Sequence, residues 1–451
     1  MNWKLKVKEY GKIRNAEIEV APLTLFVGDN NSGKSYLMSL LWGIKNLGIQ
    51  VLLGSGIRPQ TKSEQVLFDW IKLQVTTVVK QGSHAVSIGS MANIFQSVLQ
   101  EKIDQNKEEI VKRIFNSSGI EIGELKIEFM DLEQFPLNFI FHEGQGAVVL
   151  FTEDSDKFGI RFSNITEDPL QLSEKGCQRV LEAIFSLILC VEPNDRNLLN
   201  RDVYLPAAKT GFMLTKDVIN KVSRKRMFDI EVEEEEISPF ARPINQFLDV
   251  MNDLSFGGAE NENFVKAVEY LEFGMADGTV EMSALPNREI LYIPSGKEKV
   301  MPLRIVSAVV TELSPLILIL KHKRNLNSLF YEEPEMCLHP RLQQKMARVL
   351  CQLVNSPLNM VITTHSDIIL QHVNNMIRLS EHEDAEEICR QYKYTQRDIL
   401  SPEKVKVYQF KMKSGKHTEV EEVCCGKNGF AISSFNDALD QIMDEAYTIQ
   451  E

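Results

Sequence analysis

Of the 451 residues only 3 are tryptophan and 7 are cysteine, and no two cysteines form a C-x-x-C pair. Cys424 and Cys425 are adjacent, a poor start for a disulfide. These shortages exclude structural zinc of the usual spacing and a disulfide framework, and they suit a reducing cytoplasm. Long apolar runs are missing as well. Stretches such as residues 316–320 fall far below the roughly 20 apolar residues that a bilayer span needs, so no membrane is expected as a partner. The N-terminus enters Trp3-Lys4-Leu5-Lys6-Val7 directly and resembles no signal peptide. There is no internal repeat, and the one biased tract is acidic, residues 231–236. Positive charge is in deficit, with 50 Lys and Arg against 63 Asp and Glu and a net charge of −13. That argues against a protein that coats nucleic acid through overall charge, but leaves a local basic groove open. No N-K-x-D motif is present, which argues against a GTPase. The apolar and charged fractions, 43% and 25%, are those of an ordinary globular chain with room for two or three domains, or for one large domain with insertions.

What is there centres on residues 22–46. Leu23-Thr24-Leu25-Phe26-Val27 reads as a buried parallel strand. Gly28-Asp29-Asn30-Asn31-Ser32-Gly33-Lys34-Ser35 follows, and residues 35–46 read as a helix with Gly48 as its stop. Strand, G-x-x-x-x-G-K-S, helix is the context of a phosphate-binding loop. Gly28 and Gly33 permit backbone geometry closed to other residues, so that loop amides and the helix N-terminus face phosphate oxygens. Lys34 is placed to reach the β- and γ-phosphates of a nucleotide, and the Ser35 hydroxyl to bind Mg²⁺.

Elsewhere the pattern predicts two strands over residues 3–20 around a turn at Gly11. It predicts helix over 62–116 and an antiparallel sheet over 120–163. A helix over 173–189 and a strand over 202–206 follow. Residues 215–285 read as helical and charge-rich, with basic Lys221, Arg224, Lys225 and Arg226 just before the acidic run. Solvated helix surface is the plain reading of both runs, and a contact face for nucleic acid or a partner is the functional one. Residues 289–306 read as a hairpin turning at Ser295-Gly296-Lys297, and a helix starts near Ser307. Strand 329–331, helix 340–355 and strand 360–363 make a βαβ unit. The tail reads as a hairpin at Ser414-Gly415 and a helix from about Ser434.

Hydrolysis needs more than a phosphate loop. Carboxylates at the C-terminal end of a parallel strand sit where doubly wound sheets hold ligands. Glu332, directly after the apolar strand, is placed to hold Mg²⁺ through water, and Glu333 is the candidate general base. His365, at the end of the next strand, is placed to bond a γ-phosphate or the attacking water.

These residues carry a resemblance. The order Gly28 to Ser35, then Glu332-Glu333-Pro334-Glu335-Met336-Cys337-Leu338-His339-Pro340, then Ile362-Thr363-Thr364-His365-Ser366 resembles the ABC-type ATPases of the SMC/RecF/OLD-like branch. Bacterial members are often named AAA family ATPases, and some resemble the ATPases of anti-phage systems such as Septu, PARIS and retron-linked operons. The likeness covers residues 1–50 and 286–445. It implies an α/β P-loop NTPase fold, an ABC-ATPase-like head with an antiparallel β lobe and a helical insertion. It implies residues 1–210 and 286–451 as the two halves of that head around an insertion at 211–285. Lys34 and Ser35 become the phosphate-loop pair, Glu332 and Glu333 the acidic pair with Glu for the commoner Asp, and His365 the switch histidine. Leu338-His339-Pro340 falls at the dimer-facing loop. No L-S-G-G-Q is present. Ser307 before residues 309–313 is the best match to the branch's looser signature serine, with Pro294-Ser295-Gly296 as a rival that reads better as a turn. Residues 204–209 fall in the Q-loop region without its glutamine.

The resemblance implies an ATPase with ATP and Mg²⁺, a homodimer or higher homo-oligomer, and an effector encoded nearby. Ser307 would act on the partner subunit's nucleotide. The other readings are an ATP-bound scaffold with negligible turnover and an OLD-type nuclease, disfavoured because residues after His365 lack a D-x-D. A transporter subunit is disfavoured by the absent L-S-G-G-Q and the large insertion.

Overall fold

The computed structural model describes residues 3–54, 58–142, 147–151, 160–162, 172–191, 201–207, 209–216, 219, 240–254, 261–283, 289–297, 299–356, 358–413, 415–432 and 443–449. The basic cluster Lys221, Arg224, Lys225 and Arg226, the acidic run 231–236 and Ser434 lie outside the described residues.

In chain order, β1 (Trp3–Tyr10) and β2 (Ile13–Glu19) form the expected pair, and β3 (Leu23–Gly28) leads into α1 (Lys34–Asn46) and α2 (Ile49–Leu53). Next come α3 (Lys62–Gln81), β4 (Ser83–Ser87), α4 (Ala92–Phe115) and β5 (Ile122–Phe129). They are followed by β6 (Pro136–His142), β7 (Ala147–Phe151), β8 (Ile160–Phe162), α5 (Glu174–Leu189) and β9 (Asp202–Leu205). After these stand α6 (Arg242–Asp253), α7 (Val265–Leu271), β10 (Gly278–Met282), β11 (Ile290–Pro294), β12 (Met301–Pro302) and α8 (Ala308–His322). Then come β13 (Ser328–Glu332), α9 (Pro340–Asn355), β14 (Asn359–Thr364), α10 (Asp367–Ser380), α11 (Ala385–Tyr392), β15 (Val405–Lys413) and β16 (His417–Val423), and residues 443–449 are helical.

Two compact units divide the chain, one of residues 1–19 and 40–198, the other of residues 20–39 and 199–451. In the first, β1 pairs antiparallel with β2 and β5, and β4, β6, β7 and β8 form an antiparallel lobe. β1 alternates: Trp3, Leu5 and Val7 are buried, while Lys6 and Lys8 meet Glu128 and Glu124 of β5 at 2.8 and 2.7 Å. The expected single sheet over 120–163 is therefore two, because β5 takes its complementary charges from β1. The predicted helix over 62–116 is likewise broken. α3 starts on a Thr61/Glu64 capping box and stops at Gly82, whose φ of 80 suits glycine. The alternating residues of β4 then pair with β6.

The second unit is built on parallel strands in the order β15-β3-β14-β13-β9, with β16 antiparallel to β15. β3 and β13 are buried along their whole length, as strands covered on both faces must be. The βαβ unit β13-α9-β14 forms as expected, and α9 starts at Pro340. The hairpin expected over 289–306 is present as β11 and β12, with residues 303–305 a 3-10 turn instead of strand. β10 adds a third strand where only helix was expected. No helix among the described residues is long and apolar enough to cross a membrane.

Candidate active site

The loop after β3 is shaped by close packing. A Cβ on Gly28, whose φ is +131, would stand 2.2 Å from the Phe410 carbonyl oxygen of β15, so only glycine fits. Gly33 has φ 97 and Asn31 φ 58, so the chain turns sharply before α1. Lys34 opens that helix, and its ammonium folds over its own loop. Nζ donates to the Gly28 carbonyl at 3.1 Å, the Asp29 carbonyl at 2.7 Å and Ser32 Oγ at 3.3 Å. Burial pushes Lys34 down to about 8, while the charges of Glu333, Asp29 and Glu335 pull the other way. Ser35, next in the helix, is exposed.

The acidic loop leaves β13. Glu332 Oε1 accepts from Tyr204 Oη at 2.8 Å, and Oε2 accepts from the Ala207 N–H at 2.9 Å. Tyr204 Oη also lies 3.2 Å from Ser39 Oγ, one helical turn beyond Ser35. Glu333 sits at φ 44, a conformation that costs a side-chain residue about 1 kcal/mol or more. Its N–H donates to the Thr363 carbonyl at 2.9 Å, tying the loop to the end of β14.

Glu335 was not singled out from the sequence, although E-E-P-E displays it. Oε1 accepts from the His365 N–H at 2.6 Å and Oε2 from Thr364 Oγ1 at 2.9 Å. Burial raises its carboxyl above the ordinary range, against the pull of those bonds. It holds the backbone of the histidine in place. Burial, and then the Lys34 charge, lowers the His365 imidazole below its ordinary value, which keeps it neutral at pH 7. Ser366 then caps α10, accepting from the Ile369 N–H at 3.1 Å.

The ends of β3, β13 and β14 thus bring Asp29, Glu333, Glu335 and His365 within electrostatic reach of Lys34. Ser307 does not join them. It is exposed at the N-cap of α8, where its hydroxyl accepts a long 3.5 Å bond from the Val310 N–H. Its rival Ser295 stands in a turn whose Gly296 has φ 69.

Gly28 to Ser35 present glycine-shaped backbone, a helix start and an exposed hydroxyl to an anion with its cation. Among the described residues no cluster of three His, Cys, Asp or Glu side chains forms a direct metal cage. Glu332 already accepts from two neutral donors, and its remaining lone pairs suit metal-bound water. The donor set therefore fits Mg²⁺, which keeps much of its water.

A parallel sheet with a G-x-x-x-x-G-K-S loop at the end of one strand and a Glu-Glu pair at the end of another defines a P-loop NTPase. The chain belongs to the AAA ATPase domain family, whose model matches residues 1–370. Comparison with curated proteins gives no match. Among solved structures, the chain is similar to an SMC head domain from Thermotoga maritima at 12% identity and a TM-score of 0.35, covering 94% of this chain and 100% of that one. An Smc head domain with an extended coiled coil, bound to the C-terminal domain of ScpA derived from Pyrococcus furiosus, matches at 12% identity and a TM-score of 0.38, with 99% of each chain covered.

Proposed function

We propose that this chain binds ATP with Mg²⁺, hydrolyses it, and closes around it as a dimer or higher homo-oligomer to gate or drive an effector protein. One observation carries the reading: Lys34, at the start of α1, has Glu333 and His365, which follow β13 and β14 of the same parallel sheet, both within its electrostatic reach. Lys34 leaves its loop carbonyls for the β- and γ-phosphates, and the loop amides cradle them. The Ser35 hydroxyl and, through water, Glu332 would hold Mg²⁺, which would supply positive charge beside the phosphate oxygens. Glu333 takes the proton of the attacking water as the water oxygen bonds to the γ-phosphorus and ADP departs. Neutral His365 bonds the γ-phosphate, with its backbone fixed by Glu335. Ser307, exposed at a helix start, reaches the γ-phosphate of a second copy. None of the cysteines is in a disulfide, which is in keeping with a reducing cytoplasm. The resemblance to anti-phage ATPases makes a nuclease or toxin the effector to look for first.

Glu333→Gln tests the reading. The variant keeps wild-type ATP affinity and loses about 10²–10⁴-fold in turnover, because an amide cannot take the proton. Wild-type turnover in that variant removes Glu333 from the role. Absent turnover in the wild-type protein favours the ATP-bound scaffold instead.

A further inference from the structure

Lys209 is a cation with no exposure to solvent, placed directly beneath the acidic loop. Three oxygens surround its ammonium. Nζ donates to the Pro206 carbonyl at 3.1 Å and the Glu332 carbonyl at 3.0 Å, and it lies 2.8 Å from Glu312 Oε1. The Tyr331 ring completes the shell, its centroid 4.8 Å from Nζ. Glu312 is as deeply buried, at 1% exposure, and its other oxygen accepts from Thr210 Oγ1 at 2.7 Å.

A buried ion pair of this kind is a poor stabiliser, since two apolar side chains of similar volume commonly serve stability as well or better. What an apolar pair cannot supply is a donor to the Glu332 carbonyl. That carbonyl belongs to the peptide joining Glu332 to Glu333. The N–H of the same peptide donates to the Thr363 carbonyl. One peptide plane is thus gripped at both edges, and immediately after it the chain enters the unfavourable φ of Glu333. Strained backbone persists only where surrounding bonds over-determine it. We infer that Lys209, held by Glu312, is a positioning residue that sets the Glu333 carboxylate against the attacking water. Glu312 stands five residues after Ser307 on the same helix start, so the grip on Glu333 is anchored in the helix that faces a second copy.

The inference rests on the role given to Glu333 above. Its test uses the full chain as wild type, Lys209→Met/Glu312→Leu, Lys209→Arg and Glu312→Gln. Each is measured for melting temperature, for affinity toward a fluorescent ATP analogue with Mg²⁺, and for kcat and KM. The double variant removes both charges together and is expected to melt at or above the wild-type temperature. It should bind the analogue within about threefold of wild type and lose about 10–100-fold in kcat, the scale of a roughly 1 Å misplacement of a reacting group. Lys209→Arg, which keeps a donor, should turn over faster than the double variant. Glu312→Gln, which preserves shape and loosens the lysine, should fall between. A folded double variant or Glu312→Gln protein with wild-type kcat overturns the inference, as does affinity falling in proportion to kcat. If Glu333→Gln stalls turnover while the Lys209 variants do not, this inference alone fails. If Glu333→Gln has no effect, the reading beneath it fails as well.

Discussion

Lys34 carries its charge at a cost, and the cost makes it a pH reporter. Burial has brought it to about 8, so above that pH the free loop holds an increasing share of neutral lysine. Phosphate oxygens favour the ammonium, so the bound state has the higher pKa and binding takes up a proton in the window between the two. ATP affinity should be level below pH 8 and weaken above it by up to about tenfold per pH unit. Titration calorimetry at pH 8.5, in two buffers of different ionisation enthalpy, should show that proton uptake. Equal apparent enthalpies there would detach Lys34 from the phosphates. Glu335 makes the complementary case. Its carboxylate stays an acceptor for the His365 N–H and the Thr364 hydroxyl despite a burial that disfavours charge. The loss of water outweighs the two local bonds, so the carboxyl titrates above its ordinary range.

Among the elements, those with their own period and punctuation were legible in the sequence. β3 with its glycine loop, α1, β13, β14 and α9 lie where apolar runs, Pro340 and the glycines put them, and Lys34 has Glu333 and His365 within electrostatic reach. β4 and β10 were not legible, because each is five residues long and sits inside a stretch that reads as helical. Their strand character comes from partners, β6 and β11, that local pattern does not name. Glu335 and Lys209 escaped for a related reason: a residue acting through main-chain groups leaves no spacing motif. α8 carries the prediction proper to this scale. A Ser N-cap is worth about 1 kcal/mol to a helix, yet the Ser307 bond is long and the residue exposed, which leaves its hydroxyl and the helix-start amides available to a second copy. Inactive Lys34→Ala and Ser307→Arg proteins, mixed, should regain roughly a quarter of wild-type ATPase activity, because one site of each mixed dimer carries neither lesion. No recovery, together with no ATP-dependent cross-link between cysteines placed near Ser307 and Gly33 of different subunits, would place Ser307 outside the shared site.

At the scale of the molecule, β3 stands between β14 and β15, with Gly28 pressed against Phe410 and the Asp29 carboxylate accepting from the Met412 N–H at 3.3 Å. The phosphate loop is therefore walled in by a strand that lies 383 residues further along the chain. At about 5–20 residues per second, a ribosome needs roughly 20–80 s to travel from one to the other. Throughout that interval the emerging chain holds the nucleotide motif without the neighbours that shape it. Ribosome-bound chains arrested with β15 still unmade should not be retained on ATP-agarose. Those extended until β16 has cleared the exit tunnel should be retained. Retention of the shorter chains would mean that the loop takes its form from β14 and α1 alone. ATP, on this account, would be a ligand of the sheet once β15 has joined it and would give no help to the chain before then.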